Sequence, residues 1–427
     1  MFGSMFLFLA LGLPVAFALG GAATIFTILL WGPGGTFIIA ARAVALMRTI
    51  VLIAVPLFVF MAAALERSGV AEDLYEMMYR WSSRIKGGLA AGTVAICSII
   101  AAMTGIAGTG TVLMGIIALP AMLKRGYDKS IPLGCIMAGG ALGPLIPPSL
   151  VLIVYGVVAG LSVGKLFAGG LFPGLFLAAL FICYILIRCQ LNPSLGPALP
   201  PEERASWREK LVSLRGVILP LVLIVSVLGS IYGGLATPTE AAAVGAFGAL
   251  VCAAIHRKFN WELLKHSAFT TMKITGFIMW ILLGAQMFAS VYMGLGAPKL
   301  VQALFEAVPL GEWGVLILIQ VVWFILGCLM DALSILMITS PLFLPLIPLF
   351  GYDPLWFGIL FAVNTQMGYL TPPFGANLFY MKGVAPKGIT MGDIYRSIVP
   401  FVILQATGLV VCLLFPPITT WLPALVR

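Results

Sequence analysis

Long apolar runs constrain what this chain can fold into more than any other feature of its sequence. Such runs cover residues 6–31, 217–232, 277–293 and 401–415. Each is near or within the length of about 20 residues with which a helix crosses a lipid bilayer. Only 9% of the 427 residues are charged, whereas soluble domains carry about 25%. Because a water-soluble fold of this size needs a more polar surface, the sequence predicts an all-α polytopic membrane protein.

The charged and metal-ligating residues argue against several other classes. The net charge is +9, but the basic residues lie in short loops between apolar runs, where they set topology, so no nucleic-acid partner is predicted. The seven cysteines form no CxxC pair and only two histidines occur, so we expect no zinc, haem or other cofactor. HExxH and GxSxG motifs are absent, which disfavours an intramembrane enzyme. A channel is disfavoured because the polar residues cluster at two interruptions instead of lining a continuous path.

An internal repeat divides the chain. Gly126-Tyr127-Asp128 recurs as Gly351-Tyr352-Asp353, an offset of 225 residues (351 − 126), and Pro147-Pro148 recurs as Pro372-Pro373 at the same offset. Several matches at one constant offset indicate two homologous halves. We predict a first repeat at 1–188, a linker and connector helix at 189–235, and a second repeat at 236–427.

Each repeat is predicted to contain a re-entrant hairpin and a broken helix. The two apolar pieces of the first hairpin are each about 20–25 Å long as helices, too short for a hydrocarbon core of about 30 Å. The hairpin of the second repeat is inferred from the first. The first repeat is predicted to hold scaffold helices within 4–65 (one helix over 4–31 and one over 49–65), an amphipathic arm helix 69–86, a hairpin 88–123, a broken helix 131–160 and a helix 166–188. The second is predicted to hold helices 238–255 and 273–295, a hairpin 313–348, a broken helix 354–381 and a helix 394–415.

The number of crossings predicts the orientation. The first repeat crosses four times and the connector once, so the second repeat enters from the opposite face. The repeats are therefore inverted, an architecture of secondary transporters. In this topology 19 of the 24 basic residues fall on the side of the N-terminus. Because basic residues favour the cytoplasm, we predict an inner-membrane protein with a cytoplasmic N-terminus and a periplasmic C-terminus.

Two pairs of irregular segments form the candidate site: 104–111 with 143–149, and 328–334 with 368–377. Proline removes a backbone donor and glycine permits a turn, so carbonyl groups lose their helical partners. At membrane depth such groups are tolerated only where something occupies them. A small cation suits them, and nearby Thr and Ser hydroxyls add oxygen ligands. The helix N-termini after the breaks favour an anionic substrate.

Three polar positions fall within or near these segments, and a fourth, Glu240, lies at a predicted helix start. Asp331 is the one acidic residue in a predicted apolar hairpin; it either binds a cation or orients the tip, or it caps the helix that follows. Asn364 and Gln366 either face the site or make interhelical hydrogen bonds. Glu240 is interpreted as a first-turn residue that stabilises the helix dipole.

Six segments, distributed in one order over nearly the whole chain, carry a family resemblance. They are 53–60, 103–108, 143–149, 237–243, 330–331 and 368–375. Together they resemble the large membrane (M) subunit of a tripartite ATP-independent periplasmic (TRAP) transporter. One departure is Thr109-Gly110-Thr111, where that family often has Ser, Ala and Asp.

The resemblance implies an elevator-type importer in the bacterial inner membrane that couples sodium to a small carboxylate such as an organic or sugar acid. It implies two protein partners, a small four-helix membrane subunit (Q) and a periplasmic substrate-binding protein (P). The implied sodium ligands are Thr104, Gly105, Gly108, Gly143, Pro144, Pro147, Asp331, Ser334, Gly368, Thr371 and Pro372. The implied substrate ligands are Thr109, Thr111, Ser149, Asn364, Gly375 and Asn377. The alternative is a stand-alone elevator-type anion or dicarboxylate carrier without a binding protein.

Overall fold

A computed structural model describes residues 1–426 except 83, 201, 203–204, 298, 300–302 and 304–310. The described residues form helices and turns and contain no β-strand. Five helices are long and apolar enough to cross a membrane, or six if the bent pair Pro33–Met47 and Ile50–Glu66 is one span. The predicted all-α polytopic fold is confirmed.

The first repeat folds into two scaffold segments, an arm, a hairpin and a broken helix. Its helices are α1 (Phe2–Ala10), α2 (Val15–Trp31), α3 (Thr36–Met47), α4 (Ala54–Glu66), α5 (Val70–Ser82), α6 (Gly88–Thr104), α7 (Thr109–Lys124), α8 (Ser130–Gly140), α9 (Leu150–Ala159) and α10 (Val163–Leu191), with 3-10 turns at Pro33–Gly35 and Ile50–Ile53. The arm is α5, hairpin 1 is α6–α7 and the first broken helix is α8–α9. Helix α3 was not predicted.

The linker and the second repeat supply the remaining helices. They are α11 (Trp207–Ser213), α12 (Arg215–Tyr232), α13 (Pro238–Ile255), α14 (Trp261–Gly294), α15 (Gly311–Gly327), α16 (Ala332–Phe343), α17 (Leu346–Leu349), α18 (Pro354–Tyr369), α19 (Ala376–Val384), α20 (Met391–Leu414) and α21 (Pro417–Leu425), with a 3-10 turn at Pro193–Leu195. Hairpin 2 is α15–α16 and the second broken helix is α18–α19. The helix predicted to begin at 273 begins at Trp261, because the Asn260 side chain caps it by accepting from the Leu263 N–H at 2.8 Å.

The prediction of a single helix over 4–31 is wrong. The chain breaks after α1, where Gly12 adopts a left-handed φ of 83° and Pro14 has no N–H to continue the helix. Helix α1 then lies alongside α2 and also contacts the far end of α14, where the Phe2 ring meets Phe288 and Tyr292 at centroid distances of 5.0 and 5.6 Å. Helices α1 and α2 are therefore antiparallel.

The arm helix α5 marks one face of the helix bundle, which we call the arm face. Asp73 on α5 pairs with His256 at the end of α13, with 2.9 Å between Oδ2 and Nε2. Arg67, just before α5, pairs with Glu262 at the start of α14 at 3.4 Å. The opposite side is the distal face, where residues near Ser162, Leu235 and Val426 surround one pocket.

The two hairpins enter the bundle from opposite faces. Hairpin 1 opens at the arm face, where Arg125, just after α7, donates to the Tyr79 hydroxyl of the arm at 2.9 Å. Hairpin 2 opens at the distal face, where Trp313 near the start of α15 packs against Tyr352 at a centroid distance of 6.5 Å. The tips of both hairpins lie at the middle of the bundle. The predicted inverted arrangement is confirmed.

Both described ends of the chain lie toward the distal face. Phe2 contacts the last turns of α14, and Val426 lies beside Leu235 at the end of the connector. The prediction that the two termini lie on opposite sides of the membrane does not match this arrangement, and the side that is cytoplasmic stays a prediction. The crossing count failed because α1 and α2 fold back on each other where one spanning helix had been counted.

Packing between α9 and α18 joins the two repeats on the distal side of the hairpin tips. Tyr155 on α9 donates its hydroxyl to the Pro354 carbonyl at 2.7 Å, and its ring lies against Gly358, where a Cβ would overlap it. Trp356 on α18 donates to the Cys412 carbonyl at 2.8 Å. These contacts fix α9, α18 and α20 relative to one another, so the two broken helices hold both hairpin tips in one place.

Candidate functional site

The tip of hairpin 1 packs closely on the first broken helix because both segments have glycine at the points of contact. Gly105 ends α6 in the left-handed region (φ 63°), and a Cβ there would overlap the Pro148 carbonyl oxygen. Its own carbonyl accepts from the Leu150 N–H at 3.4 Å. On the facing segment of the break, a Cβ on Gly143 would lie 2.5 Å from the Ile106 carbonyl oxygen. Side chains larger than hydrogen are therefore excluded on both sides, and backbone carbonyls lie at the contact.

The first break is buried and rich in carbonyls. Residues 141–150 are all buried, and the Pro147-Pro148 peptide is cis. Ser149 caps α9: its Oγ accepts from the Leu152 N–H at 3.3 Å and donates to the Pro144 carbonyl. Thr104, at the end of α6, donates its hydroxyl to the Ile100 carbonyl at 2.9 Å. The Thr104 hydroxyl thus lies on the hairpin side, and the Ser149 hydroxyl on the broken-helix side, of the contact between the tip of hairpin 1 and the first break.

The second tip repeats this arrangement with different side chains. Gly327 and Gly368 pack backbone to backbone, and a Cβ on Gly368 would lie 2.5 Å from the Gly327 Cα. The Phe374 N–H donates to the Cys328 carbonyl at 3.1 Å. The Ala332 N–H, in the first turn of α16, donates to the Tyr369 hydroxyl at 2.8 Å. The tip of hairpin 2 is therefore bonded to both sides of the second break.

Asp331 caps hairpin 2's inner helix. Its Oδ2 accepts from the Ser334 N–H at 3.0 Å, and its Oδ1 accepts from the Ser334 hydroxyl. The capping role left open by the sequence is therefore present, and a carboxylate keeps lone pairs for a further ligand. Across the break, Thr371 donates its hydroxyl to the Met367 carbonyl at 2.8 Å, and the Pro372-Pro373 peptide is cis.

Within the described part of the chain, four helices begin at the middle of the bundle, and two of them have side-chain caps. Ser149 caps α9 and Asp331 caps α16. Helices α7 and α19 instead begin at the left-handed glycines Gly108 (φ 87°) and Gly375 (φ 44°), with no side-chain cap. Uncapped N–H groups at a helix start attract an anion. The two uncapped starts belong to different repeats.

Thr111 and Asn377 are the predicted substrate residues that the structure brings together. Both are fully buried, and Thr111 Oγ1 and Asn377 Oδ1 have no hydrogen-bond partner among the described residues. Asn377 Nδ2 donates to the Met137 carbonyl of α8 at 3.2 Å. One turn further along α8, a Cβ on Gly140 would overlap Thr111 Oγ1. The two unsatisfied oxygens therefore lie against the last turn of α8, beside the uncapped starts of α7 and α19. Thr109, half-buried, opens the first turn of α7.

Asn364 lies apart from this cluster. Its Nδ2 donates to the backbone and side-chain oxygens of Gln320 on α15, both at 2.8 Å. Gln366 accepts from Gln405 Nε2 on α20 at 2.7 Å. The structure therefore gives both residues the interhelical role that the sequence left open. Glu240 forms a capping box with Thr237 at the start of α13, as its position in the first turn predicts.

Sequence reasoning missed two tyrosines at the tips. Tyr369 lies inside the second break, so its place in that segment was a usable signal for its bond to hairpin 2. Tyr380 on α19 covers the first tip, where a Cβ on Gly108 would overlap its ring. No local sequence pattern predicts the contact between Tyr380 and Gly108, because these residues belong to different repeats.

Comparison with known proteins identifies the family. The profile described as "Tripartite ATP-independent periplasmic transporter, DctM component" matches residues 2–418. The chain belongs to this family. It is 33% identical to the C4-dicarboxylate TRAP transporter large permease DctM of Pseudomonas aeruginosa, over 93% of this chain and 92% of that one. It is 31% identical to the ectoine TRAP large permease TeaC of Halomonas elongata, over 99% and 98%.

The fold is also shared with a solved membrane transporter. The YdaH transporter of Alcanivorax borkumensis superposes with a TM-score of 0.63 at 15% identity, covering 98% of both chains. At this identity the likeness concerns the fold alone. The DctM-family relatives are named as transporter permeases, so this chain is a transport protein and not an enzyme.

Proposed function

We propose that this DctM-family protein imports a small carboxylate across the bacterial inner membrane, driven by sodium. The observation that carries the proposal is the pair of tip-and-break contacts at the middle of the bundle, with two uncapped helix starts and two unsatisfied oxygens beside them. Transport of C4-dicarboxylates is named for one relative and transport of ectoine for another. The resemblance supports the choice of a carboxylate.

The donor set supports sodium as the coupling ion. Carbonyl oxygens of the first tip face those of the 143–148 segment, and Thr104 and Ser149 add hydroxyl oxygens. At the second tip the carboxylate of Asp331 and the hydroxyls of Ser334 and Thr371 are present. Hard oxygen donors of this kind suit a hard cation. We assign Gly105, Gly108, Gly143, Pro144, Pro147, Gly368 and Pro372 to these two sites through their backbone.

The opposed hairpins support alternating access by an elevator movement. Helices α2, α4, α13 and α14 pack on one another, and so do the hairpins and broken helices. In this proposal the second group carries the site across the first. The arm face is cytoplasmic, because the basic residues collect there, as Arg67, Arg125 and Lys129 do. Both described chain ends then lie on the periplasmic side.

The partners follow from the family, whose description is tripartite. We propose a small four-helix membrane subunit and a periplasmic binding protein that delivers the substrate. The test is uptake by proteoliposomes that contain the membrane complex, with the binding protein added outside and labelled succinate, pyruvate and gluconate as probes. An inward sodium gradient is expected to drive uptake of at least one probe. Uptake that persists unchanged when potassium replaces sodium would contradict the proposal.

The same vesicles decide between the proposal and a stand-alone carrier. If the binding protein delivers the substrate, omitting it is expected to reduce uptake to background. Uptake of equal rate without it would favour a carrier that acts alone. In that outcome the sodium dependence would still stand, because the two conclusions are measured in separate arms.

A further inference from the structure

An exposed aromatic cluster borders both uncapped helix starts. It consists of Phe374, Phe379 and Tyr380, which are 52%, 45% and 45% exposed. Phe374 directly precedes Gly375, where α19 begins, and its N–H is bonded to the tip of hairpin 2. Tyr380 lies over Gly108, where α7 begins. The cluster therefore reaches from one uncapped start to the other.

The cluster is a continuous surface on one side of α19. The rings of Phe374 and Phe379 are in contact, with centroids 5.2 Å apart. The neighbouring side chains Asn377, Leu378 and Met381 are fully buried on the other side of the helix, where α19 packs on α7 and α8. An anion bound at the helix starts would therefore have the unsatisfied oxygens on one side and the aromatic surface on the other.

The charges around the site favour a ligand with a single anionic group. Segments 104–111, 141–150, 328–334 and 368–377 contain no Lys, Arg or His, and their one ionisable acid is Asp331. Ser149 and Asp331 already satisfy the starts of α9 and α16. Of these four helix starts, those of α7 and α19 have no side-chain cap and are left to receive a carboxylate. A second carboxylate on the same ligand would lie against the aromatic surface with no cation from these segments as a partner, and the one basic residue of α19, Lys382, already donates to the Ile389 carbonyl at 2.6 Å.

We propose that the substrate is a monocarboxylate with an apolar, preferably aromatic, body. Its carboxylate caps α7 and α19 beside Thr111 and Asn377, and its body packs on Phe374, Phe379 and Tyr380. This inference rests on the proposed function and narrows it: a dicarboxylate, the substrate named for several relatives, fits this site less well.

The test compares three acids on the membrane complex purified from native membranes. Phenylpyruvate and pyruvate differ only by a phenyl group, and succinate carries a second carboxylate. Affinity is measured from the thermal stabilisation of the complex in sodium at increasing acid concentration. We expect phenylpyruvate to bind at least about tenfold more tightly than either other acid, since a buried phenyl group contributes about that much or more.

Variants of the aromatic surface make the test specific. Phe379→Ala is expected to weaken phenylpyruvate binding about tenfold and to leave pyruvate within about twofold, and Phe379→Leu to restore part of the loss. Phe415→Ala, at an exposed phenylalanine after α20, is the matched control and is expected to change neither. Tighter binding of succinate than of phenylpyruvate, or an equal loss for all acids in Phe379→Ala, would overturn the substrate class and leave the proposed function standing. Absence of sodium-dependent stabilisation by any of the three acids would count against both.

Discussion

Replacing Gly105 by Ala is expected to reduce sodium-driven uptake to about 1% of the wild-type rate. The added Cβ would overlap the Pro148 carbonyl oxygen, and the left-handed φ of 63° disfavours Ala as well. Separating the first tip from its break would displace the carbonyls that we assign to sodium. A distortion of about 3 kcal/mol corresponds to a change of about a hundredfold. The rate is measured in proteoliposomes after size-exclusion chromatography has shown that the variant is folded.

Gly126→Ala is the control for this substitution. Gly126 has a similar left-handed φ of 78°, but no atom lies within 4 Å of a Cβ built there. It therefore carries the backbone penalty of about 1–2 kcal/mol without the overlap. We expect its uptake to stay close to wild type. Uptake near wild type in Gly105→Ala would show that the first tip tolerates separation and that its carbonyls are not required.

Replacing Asp331 by Asn is expected to raise the sodium concentration for half-maximal uptake about tenfold or more. Asn caps helices about as well as Asp, so α16 keeps its first-turn bond and the fold is retained. What is lost is the negative charge beside the second break, and about 1.4 kcal/mol of cation binding corresponds to tenfold in affinity. Asp331→Ala, which removes the cap as well, is expected also to lower thermal stability.

Asp353→Asn is the matched control for the second tip. Asp353 caps α18 by accepting from the Leu355 N–H at 2.7 Å, so it has the same local role as Asp331. It lies at the distal end of α18, away from the tips. We expect unchanged sodium dependence in this variant. If Asp331→Asn also left the sodium dependence unchanged, Asp331 would be a helix cap and no more.

The hairpins and breaks were predictable because their signals are local. Glycine and proline fix where a helix ends, and the repeat placed the same residues at 147–148 and 372–373. The break before Pro14 carried a similar signal. Pro14 is followed by Gly20 much as Pro238, where α13 begins, is followed by Gly245, at an offset of 224 residues (238 − 14) that nearly matches the repeat, so a helix start near Pro14 was indicated. The length of the apolar run had favoured one helix over 4–31. The proline and the repeat were better evidence, and they favoured two helices.

The contacts across the site were not predictable, because they join distant parts of the chain. Asn377 meets Met137, and Tyr380 covers Gly108, although neither pair shares a motif. Asn364 was grouped with the substrate residues because it lies close to the second break in sequence. Its position on α18 turns it toward Gln320 on α15 instead. Sequence proximity to a break does not determine which face of the helix a side chain occupies.

A structure of the membrane complex with ions resolved, determined once in sodium and once in potassium, tests the central claim most directly. We expect density for one ion between the carbonyls of 104–108 and those of 143–147. We expect a second between Asp331 and the 368–372 segment, with both present in sodium and absent or displaced in potassium. Identical maps in the two salts, with no ion at either tip, would contradict the central claim.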